Sequence, residues 1–432
     1  MRIINIDKGD ELTASTLLSN RNDDDFESVD IAVKEIISRV KAEGDAALYY
    51  FSKKYGGPGK AEISQLRVSE SEIEKAFESV EDDFIKAIKR AADNIRSFHK
   101  KQYMESWSYT EGKEILLGQL IRPISDVGVY VPGGTAAYPS SVLMNVIPAK
   151  IAGCPRVVMC TPAGKNGNIS PYILAAAKIA GADEIYKTGG AQAVAALAYG
   201  TESIKKVNKI TGPSNTFIAR AKKYVYGTVD IDMIAGPSEV CIIADDTAEP
   251  AYLAADLLSQ AEHDKMASSI LITTSQDIAI KTNDEIERQL KKLDRYDFAK
   301  EAIENNSAVF IAADIDSCFD IANDIAPEHL ELMLENSETY LDKVMYAGAV
   351  LLGKYSSEPL GDYIAGPNHT LPTSGTAKFA SPLGVYNFMT RTSIIRYGKE
   401  DLASVKDDIV KISDREGLTA HGNAIKVRFE DI

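Results

Sequence analysis

The chain has 432 residues, 45% of them hydrophobic, which is enough for a substantial core and for two or more domains. Its net charge of −15 argues against a nucleic-acid partner, because phosphate binding needs clustered Lys and Arg, and leaves a small molecule as the expected ligand. No segment is apolar enough for a secretory signal or a membrane span, and four cysteines without a close pair predict a reduced, cytoplasmic protein.

The first hundred residues are predicted to be helical. Ile31 to Tyr55 and Ser71 to Lys101 carry apolar residues at three- and four-residue spacing, with charged residues between them. Ser71 and Glu74 have the spacing of a capping box at the start of the second helix. We expect this region to contribute packing rather than chemistry.

From Asp126 onward, short β-branched runs alternate with Gly/Pro turns and Ala-rich helices. The predicted strands are Val127 to Val131, Arg156 to Cys160, Glu184 to Lys187, Val207 to Ile210, Val240 to Ala244, Ser269 to Thr273, Ala308 to Ala312 and Ala349 to Leu352. Strands that alternate with helices indicate parallel sheets, so the predicted class is α/β.

An internal repeat indicates how these units are organised. Ala149 to Gly153 and Ala177 to Gly181 both read Ala-Lys-Ile-Ala-Gly, and in each case the glycine is expected to end a helix before a strand. We predict two Rossmann-like but incomplete α/β domains: a nested domain over 126–239 and a larger one over 26–125 plus 240–382. Residues 1–25 are predicted to form an N-terminal arm, and 383–432 an extended C-terminal arm.

Two glycine turns offer a place for a dinucleotide. The strand Glu184 to Lys187 leads into Thr188-Gly189-Gly190-Ala191-Gln192-Ala193 and an Ala-rich helix, an arrangement that presents backbone amides to a phosphate. The G-x-G-x-x-G spacing is absent, so a structural turn fits this segment as well as a cofactor site does. Tyr130 to Gly134 repeats the strand-to-glycine pattern, and two such turns at neighbouring strand ends favour a cofactor crevice.

Four of the five histidines lie between positions 263 and 421, each in a short polar segment, which suggests metal binding or proton transfer. Gln260 and His263 are three residues apart on a helix predicted over Ala251 to Asp264 and would share one face. With Asp362 and His421 they would make a donor set that suits zinc. For any one of the four histidines alone, a surface or capping position is the better interpretation.

Glu328 and His329 follow Pro327, which is predicted to occupy the first position of a helix. The helix dipole would then hold His329 neutral and able to accept a proton, and the two side chains would serve separate proton transfers. The alternative is an N-terminal glutamate beside a structural histidine.

These segments together resemble the L-histidinol dehydrogenase family over nearly the whole chain. The matching motifs are Ile231-Asp232-Met233-Ile234-Ala235-Gly236-Pro237-Ser238-Glu239-Val240, Ala254-Ala255-Asp256-Leu257-Leu258-Ser259-Gln260-Ala261-Glu262-His263-Asp264, Ala326-Pro327-Glu328-His329-Leu330, Gly361-Asp362-Tyr363, Gly366-Pro367-Asn368-His369-Thr370-Leu371-Pro372-Thr373, Glu416-Gly417-Leu418 and Ala420-His421.

The resemblance implies a zinc- and NAD-dependent, four-electron oxidation of L-histidinol to L-histidine, the last step of histidine biosynthesis, through a retained aldehyde. It implies that His329 takes the hydroxyl proton in each oxidation and that Glu328 activates the water that hydrates the aldehyde. By the same matching, zinc would be held by Gln260, His263, Asp362 and His421, and would position the imidazole and the amine of the substrate.

The resemblance also assigns the remaining binding residues. Tyr130, Gln192 and Asn215 would contact NAD, and Ser238, His369 and Glu416 would join His329 and the zinc ligands around the substrate. The family forms intertwined homodimers, which implies that Glu416 and His421 act on the partner's site. The chain departs from the family at Ser214, where a second glycine is usual, and this puts the NAD loop in some doubt.

Three rival functions are compatible with parts of this pattern. A dehydrogenase of the same family could act on another polar alcohol, although His369 and Glu416 argue against it. A zinc hydrolase would leave both glycine turns without a function. A catalytically silent NAD-binding protein would not need the Glu328-His329 pair. The fifth histidine, His99, is expected to be structural.

Overall fold

A computed structural model describes residues 1–7, 26–59, 61, 63–133, 137–213 and 215–430, and these residues belong to two units. The first unit comprises Met1–Gln102 and Ile124–Phe388, and the second comprises Tyr103–Pro123 and Met389–Ile432. Most of the predicted N-terminal arm lies outside the described residues. The other domain boundaries drawn from the sequence stay predictions.

The strands are β1 (Arg2–Ile6), β2 (Trp107–Glu111), β3 (Ile115–Pro123), β4 (Asp126–Tyr130), β5 (Arg156–Thr161), β6 (Glu184–Lys187), β7 (Lys209–Thr211), β8 (Asp230–Ile231), β9 (Glu239–Ala244), β10 (Ser268–Thr273), β11 (Ala308–Ala312), β12 (His329–Met333), β13 (Ala349–Leu352) and β14 (Met389–Arg396). The α-helices are α1 (Glu27–Glu43), α2 (Asp45–Lys54), α3 (Glu70–Ser79), α4 (Asp82–Lys100), α5 (Pro139–Ala152), α6 (Pro171–Ala180), α7 (Gly190–Tyr199), α8 (Thr216–Val225), α9 (Pro250–Ala261), α10 (Gln276–Leu290), α11 (Tyr296–Asn305), α12 (Ile315–Ile325), α13 (Glu358–Tyr363), α14 (Lys399–Arg415) and α15 (Thr419–Lys426). Short 3₁₀ helices span Ser337–Lys343, Thr376–Lys378, Val385–Phe388 and Val427–Phe429.

The N-terminal helices α1 to α4 confirm the helical prediction for this region, with three corrections. The second predicted helix, Ser71 to Lys101, is divided at Val80 and Glu81 into α3 and α4. Gly44 has a φ of 55°, a left-handed value that glycine tolerates, and it divides the first predicted helix into α1 and α2. The capping box begins at Ser69, whose hydroxyl accepts the N–H of Glu72 while the Glu72 carboxylate accepts the N–H of Ser69. This is two residues before the pair expected from the sequence.

A five-stranded parallel sheet, ordered β6-β5-β4-β7-β8, occupies the middle of the first unit. Its strands are mostly buried runs of apolar residues, as expected where helices cover a parallel sheet. Gly153 and Gly181 end α5 and α6 with φ values of 87° and 88°, which confirms the repeat seen in the sequence. The carboxyl ends of β4, β6 and β7 lead directly into the segments that were predicted to meet a dinucleotide.

A six-stranded parallel sheet, ordered β1-β11-β10-β9-β12-β13, forms the rest of the core of this unit. The sequence did not predict β1, which pairs with β11, or β12, which lies between β9 and β13. Together the two sheets confirm the α/β class. Among the described residues, no helix is both long and apolar enough to cross a membrane.

The second unit consists of the antiparallel sheet β14-β3-β2 with α14 and α15. Its strands β2 and β3 were not predicted, and they pair with β14 from the C-terminal region. All five residues of β2 are exposed, and α14 buries only Ser413. This unit therefore has little core of its own among the described residues.

Candidate active site at the amino-terminal edge of the six-stranded sheet

The Glu328-His329 pair lies at the start of β12 rather than in a helix. Helix α12 ends at Ile325, Ala326 turns the chain with a φ of 49°, and His329 then pairs with Val240 of β9. The prediction of a helical first turn after Pro327 is therefore wrong. Pairing on both sides of β12, together with the buried side chains of the strand, outweighs the local helix-start signal of Pro327.

His329 is held as a neutral base by burial and by one hydrogen bond. Its Nδ1 lies 3.3 Å from the carbonyl oxygen of Glu239, and a carbonyl only accepts, so Nδ1 carries the proton and Nε2 keeps its lone pair. Burial lowers the pKa of His329 to about 4. The ring is thus neutral at physiological pH, as predicted, but burial is the cause and a helix dipole is not.

Glu328 is buried beside the same carbonyl group. Its Oε2 accepts the N–H of Glu239 at 2.9 Å and lies 3.9 Å from Nδ1 of His329. Burial raises the pKa of Glu328 well above its ordinary value, and the negative charges of neighbouring carboxylates, including that of Asp362, raise it further. In the chain alone, Glu328 therefore favours its protonated form.

A group of metal-ligand atoms lies next to this pair. His263, Glu358 and Asp362 each offer a ligand atom, and these atoms all lie within 4.8 Å of one another. Burial raises the pKa of Asp362 to about 6 and that of Glu358 to about 8, and the charge of Asp362 adds to the rise at Glu358. Such closely spaced buried carboxyls are strongly stabilised as anions by a cation.

His263 contributes to this group from the end of α9, three residues after Gln260. The helix ends at Ala261, so the helix predicted to Asp264 is too long and His263 lies in the turn that follows. Nδ1 of His263 lies 3.0 Å from the carbonyl oxygen of Ser259, which leaves Nε2 as the ligand atom. Gln260 is buried, and its Oε1 has no hydrogen-bond partner in the described part of the chain.

His369 and Ser238 lie close to the same strand ends. Nδ1 of His369 is 3.1 Å from the carbonyl oxygen of Asp362, and Nε2 is 3.3 Å from the hydroxyl of Ser141. Burial lowers the pKa of His369 to about 4, so this ring is neutral as well. Ser238 immediately precedes β9, and its carbonyl oxygen accepts the N–H of Ser268 at the start of β10.

The residues expected to meet a dinucleotide lie at the carboxyl ends of the five-stranded sheet. Tyr130 ends β4, and its hydroxyl accepts the N–H of Gly190 at 3.4 Å. Burial raises the pKa of Tyr130 to about 12, so the phenol stays protonated. Gln192 lies in the first turn of α7, where its buried Oε1 has no hydrogen-bond partner among the described residues.

The loop between β7 and α8 is shaped by Gly212. Its φ is +130°, and a Cβ at this position would come within 2.0 Å of the carbonyl oxygen of Tyr130, so only glycine fits. Asn215 caps α8 by accepting the N–H of Ile218 at 3.1 Å. Ser214, the departure noted in the sequence, and Gly134 lie outside the described residues.

Glu416 and His421 belong to the second unit. Glu416 follows the last residue of α14, and His421 lies in the first turn of α15, where its N–H donates to the carbonyl oxygen of Leu418. Both residues are exposed. The first unit thus brings together His263, Asp362, His329 and His369, whereas Glu416 and His421 belong to the second unit.

Comparison with known proteins identifies the family. A family model described as histidinol dehydrogenase matches residues 19–429. The chain belongs to the histidinol dehydrogenase family. It is 56% identical to the histidinol dehydrogenase of Listeria monocytogenes serotype 4b over 93% of each chain, and 54% identical to that of Bacillus cereus over 94% of each. The crystal structure of histidinol dehydrogenase from Elizabethkingia anophelis superimposes with a TM-score of 0.93 at 38% identity, covering 99% of this chain and 98% of that one.

Membership of the histidinol dehydrogenase family confirms the resemblance drawn from the motifs and makes the chain an oxidoreductase. Three residues of the site were not found from the sequence. Glu358 is four residues before Asp362 on α13, a spacing that puts both on one helix face and could have revealed it. Ser141 and Glu239 gave no signal, because one is a serine in an apolar helix and the other acts through its backbone carbonyl.

Proposed function

We propose that the chain is an NAD- and zinc-dependent L-histidinol dehydrogenase that oxidises L-histidinol through L-histidinal to L-histidine, the last step of histidine biosynthesis, in the cytoplasm. Family membership supports the substrate. The observation that carries the proposal is His329, a buried neutral imidazole whose unprotonated Nε2 lies 3.8 Å from Oδ1 of Asp362 in the metal-ligand group.

The residues present fit a divalent cation of the zinc type. His263 supplies a nitrogen, Asp362 a carboxylate, and Gln260 an amide oxygen that is buried without a hydrogen-bond partner among the described residues. An orphaned buried oxygen is costly, and a metal ligand role removes that cost. We propose Gln260, His263, Asp362 and His421 as the ligands. Bound zinc would hold the imidazole and the amine of the substrate and would favour the ionised form of the neighbouring carboxyls.

His329 and Glu328 would perform the proton transfers. In each oxidation, Nε2 of His329 would accept the hydroxyl proton, and NAD⁺, held by the residues named below, would supply the hydride acceptor. The alcohol would become an aldehyde in the first oxidation, and the hydrated aldehyde a carboxylic acid in the second. The Glu239 carbonyl holds the opposite ring nitrogen, so Nε2 keeps its orientation. Between the two steps, Glu328, once ionised, takes a proton from the water that adds to the aldehyde. A well-placed base of this kind contributes roughly 10² to 10⁴-fold in rate.

NAD would bind at the carboxyl ends of the five-stranded sheet, on the nested domain 126–239. Each of the turns that follow β4, β6 and β7 adjoins one of the proposed residues, which are Tyr130, Gln192 and Asn215 respectively. The unpartnered amide oxygen of Gln192 supports this proposal, because it lies in the first turn of α7 beside the Gly189-Gly190 backbone. Ligands of open α/β sheets bind at this edge.

We further propose a homodimer in which Glu416 and His421 complete the site of the partner. Ser238, His369 and Glu416 would then surround the substrate with the metal ligands. The surface of the second unit supports a subunit interface, since several of its large apolar side chains are exposed; Ile395 is 74% and Ile412 60% accessible. An apolar surface of this kind is expected to be covered in the assembled protein.

The test is a count of NADH formed by the purified protein with Zn²⁺, NAD⁺ and L-histidinol. Two NADH per histidinol are expected, with loss of activity in His329→Asn. One NADH with release of free aldehyde would contradict the four-electron reaction. Activity with a different polar alcohol but none with histidinol would favour another dehydrogenase, and hydrolysis without nucleotide dependence would favour a zinc hydrolase.

A further inference from the structure

Both ring nitrogens of His369 are engaged within the first unit. Nδ1 faces the carbonyl oxygen of Asp362 at 3.1 Å, and Nε2 faces the hydroxyl of Ser141 at 3.3 Å. Because the carbonyl can only accept, Nδ1 must carry the proton, and Nε2 must accept from the Ser141 hydroxyl. Ser141 lies in the first turn of α5 and is 3% exposed, so water does not readily replace it.

The segment between Asp362 and His369 is fixed from the side of α4. The amide Nδ2 of Asn94 donates to the carbonyl oxygen of Ile364 at 2.7 Å. Gly366 has a φ of +118°, and a Cβ there would lie 2.8 Å from the carbonyl oxygen of Asn94. The backbone of this segment therefore packs directly against α4.

Asn368 fixes the same segment from the side of α5. Its Nδ2 donates to the carbonyl oxygen of Met144 at 2.6 Å, and its Oδ1 accepts the N–H of Thr370 at 2.8 Å. Nε2 of the buried His99 lies 3.5 Å from Nδ2 of Asn368. His369 thus follows a residue that is itself held in place, and its ring is oriented between α5 and the backbone of Asp362.

The ring of His369 therefore connects α5 to a candidate metal ligand. Asp362 gives its backbone carbonyl to Nδ1 of His369, and its Oδ1 lies 3.8 Å from that nitrogen and 3.8 Å from Nε2 of His329. Without the Ser141 donor, the ring of His369 keeps its proton on Nδ1 but is held by the Asp362 carbonyl alone. The ring is then free to turn, and its contact with the backbone of Asp362 loosens.

We propose that Ser141 is a positioning residue of the metal site, which fixes the orientation of the His369 ring and through it the backbone of Asp362. The proposal rests on the function proposed above, in which Asp362 binds the metal. It also assigns His369 a role beyond substrate contact: the ring holds the metal ligand Asp362 in place before the substrate binds. Residues that orient metal ligands in this way typically change metal affinity about 10- to 100-fold when they are replaced.

The first measurement is the hydrogen bonding of the two His369 ring nitrogens, read from their ¹⁵N signals in metal-free protein labelled with ¹⁵N-histidine. The chain has five histidines, so the ring signals are few, and a His369→Gln variant assigns those of His369. In the wild type, His369 is expected to carry its proton on Nδ1. Ser141→Ala is expected to keep that proton, to move the Nε2 signal toward that of an unbonded nitrogen and to weaken the Nδ1 hydrogen bond. Ser141→Thr, which keeps the hydroxyl, is expected to retain the wild-type signals.

The second measurement is Zn²⁺ affinity, by competition with a chelator. Ser141→Ala is expected to bind Zn²⁺ at least about tenfold more weakly than the wild type, and Ser141→Thr to bind with near wild-type affinity. Ser140→Ala, which removes the adjacent buried serine hydroxyl of α5, is the matched control and is expected to leave the affinity unchanged. If Ser141→Ala fails to fold, Ser141→Cys keeps the volume with a poor donor and is expected to show the same loss.

The outcomes distinguish this proposal from the function on which it rests. Wild-type NADH formation together with unchanged His369 signals and unchanged Zn²⁺ affinity in Ser141→Ala would overturn the positioning role and leave the proposed function intact. A wild-type protein that neither binds Zn²⁺ nor forms NADH would contradict the proposed function, and the positioning role with it. An equal loss of affinity in Ser140→Ala would show a general packing effect and would also overturn the proposal.

Discussion

Replacement of Lys222 by methionine tests the buried ion pair behind the proposed NAD loop. Lys222 of α8 pairs with Asp232, and both side chains are 0% exposed. The Nζ of Lys222 also donates to the carbonyl oxygen of Gly212 at 3.0 Å, and the N–H of Gly212 donates to Asp232 at 2.8 Å. The pair therefore fixes both sides of the loop that leads to Asn215. We predict that Lys222→Met strongly lowers the free energy of unfolding.

The expected magnitude follows from the charge that is left behind. Removing one partner of a buried ion pair costs about 3–5 kcal/mol, because the other charge stays buried without compensation. Asp232 would keep the N–H groups of Gly212 and Met233, the latter at 2.7 Å, and these donors stabilise a carboxylate. We therefore expect a loss near the lower limit, about 3 kcal/mol, of which Lys222→Met combined with Asp232→Asn recovers roughly half or more.

The measurement is urea unfolding followed by circular dichroism. Lys209→Met is the matched control: Lys209 is buried and pairs with Asp230 in the same sheet, but the carboxylate of Asp230 is 50% exposed and water can solvate it. We expect a loss of only about 1 kcal/mol in this variant. Equal losses for the two single variants, or a double variant no more stable than Lys222→Met, would refute the reasoning.

Three further predictions concern separate parts of the first unit. Gly212→Ala should abolish NAD⁺ binding in a fluorescence titration, because the added Cβ meets a backbone oxygen. Gly181 has a φ of +88° and open space around the position of a Cβ, so Gly181→Ala should cost only about 1–2 kcal/mol of stability. Burial raises the pKa of Asp256 to about 6 and that of the neighbouring Glu331 well above its ordinary value. Stability from these protonated carboxyls is therefore present at low pH and lost as pH rises through their raised pKa. Asp256→Asn should weaken that loss in unfolding measured from pH 5 to 8, and an unchanged slope would contradict it. Glu358→Gln should lower Zn²⁺ affinity about tenfold in a chelator competition, and wild-type affinity would exclude Glu358 from the metal-ligand group.

The sequence predicted the buried parallel strands well, because their signal is local. Glu184–Lys187 and Ala308–Ala312 have the predicted bounds, since short β-branched or apolar runs between turn residues are typical of strands covered on both faces. β12 was missed, because Pro327 imitates a helix start and the strand is specified by pairing with β9 and β13, which are distant in sequence. The exposed strand β2 lacks a buried face, so no alternating pattern marked it.

The candidate site was predictable by residue type but not by geometry. The sequence supplied His263, Asp362 and His329, and the fold brings all three to one edge of the six-stranded sheet. It could not supply the carbonyl of Glu239 or the hydroxyl of Ser141, because each acts through an atom that many residues share. Burial lowers the pKa of His329, and the burial of a side chain depends on the folded structure rather than on the residues next to it in the sequence.

The two parallel sheets present opposite ends to their proposed ligands: the base and the metal-ligand group lie where β9 and β12 begin, and the dinucleotide turns lie where β4, β6 and β7 end. The usual crevice at strand carboxyl ends therefore accounts for only one of these places. Because the two sets of residues lie on different strands, an engineer can vary one without replacing the other. Preference for a phosphorylated or modified nicotinamide nucleotide could be selected by changing the turns after β4 to β7, while the proton-transfer residues keep the same scaffold and the same surroundings.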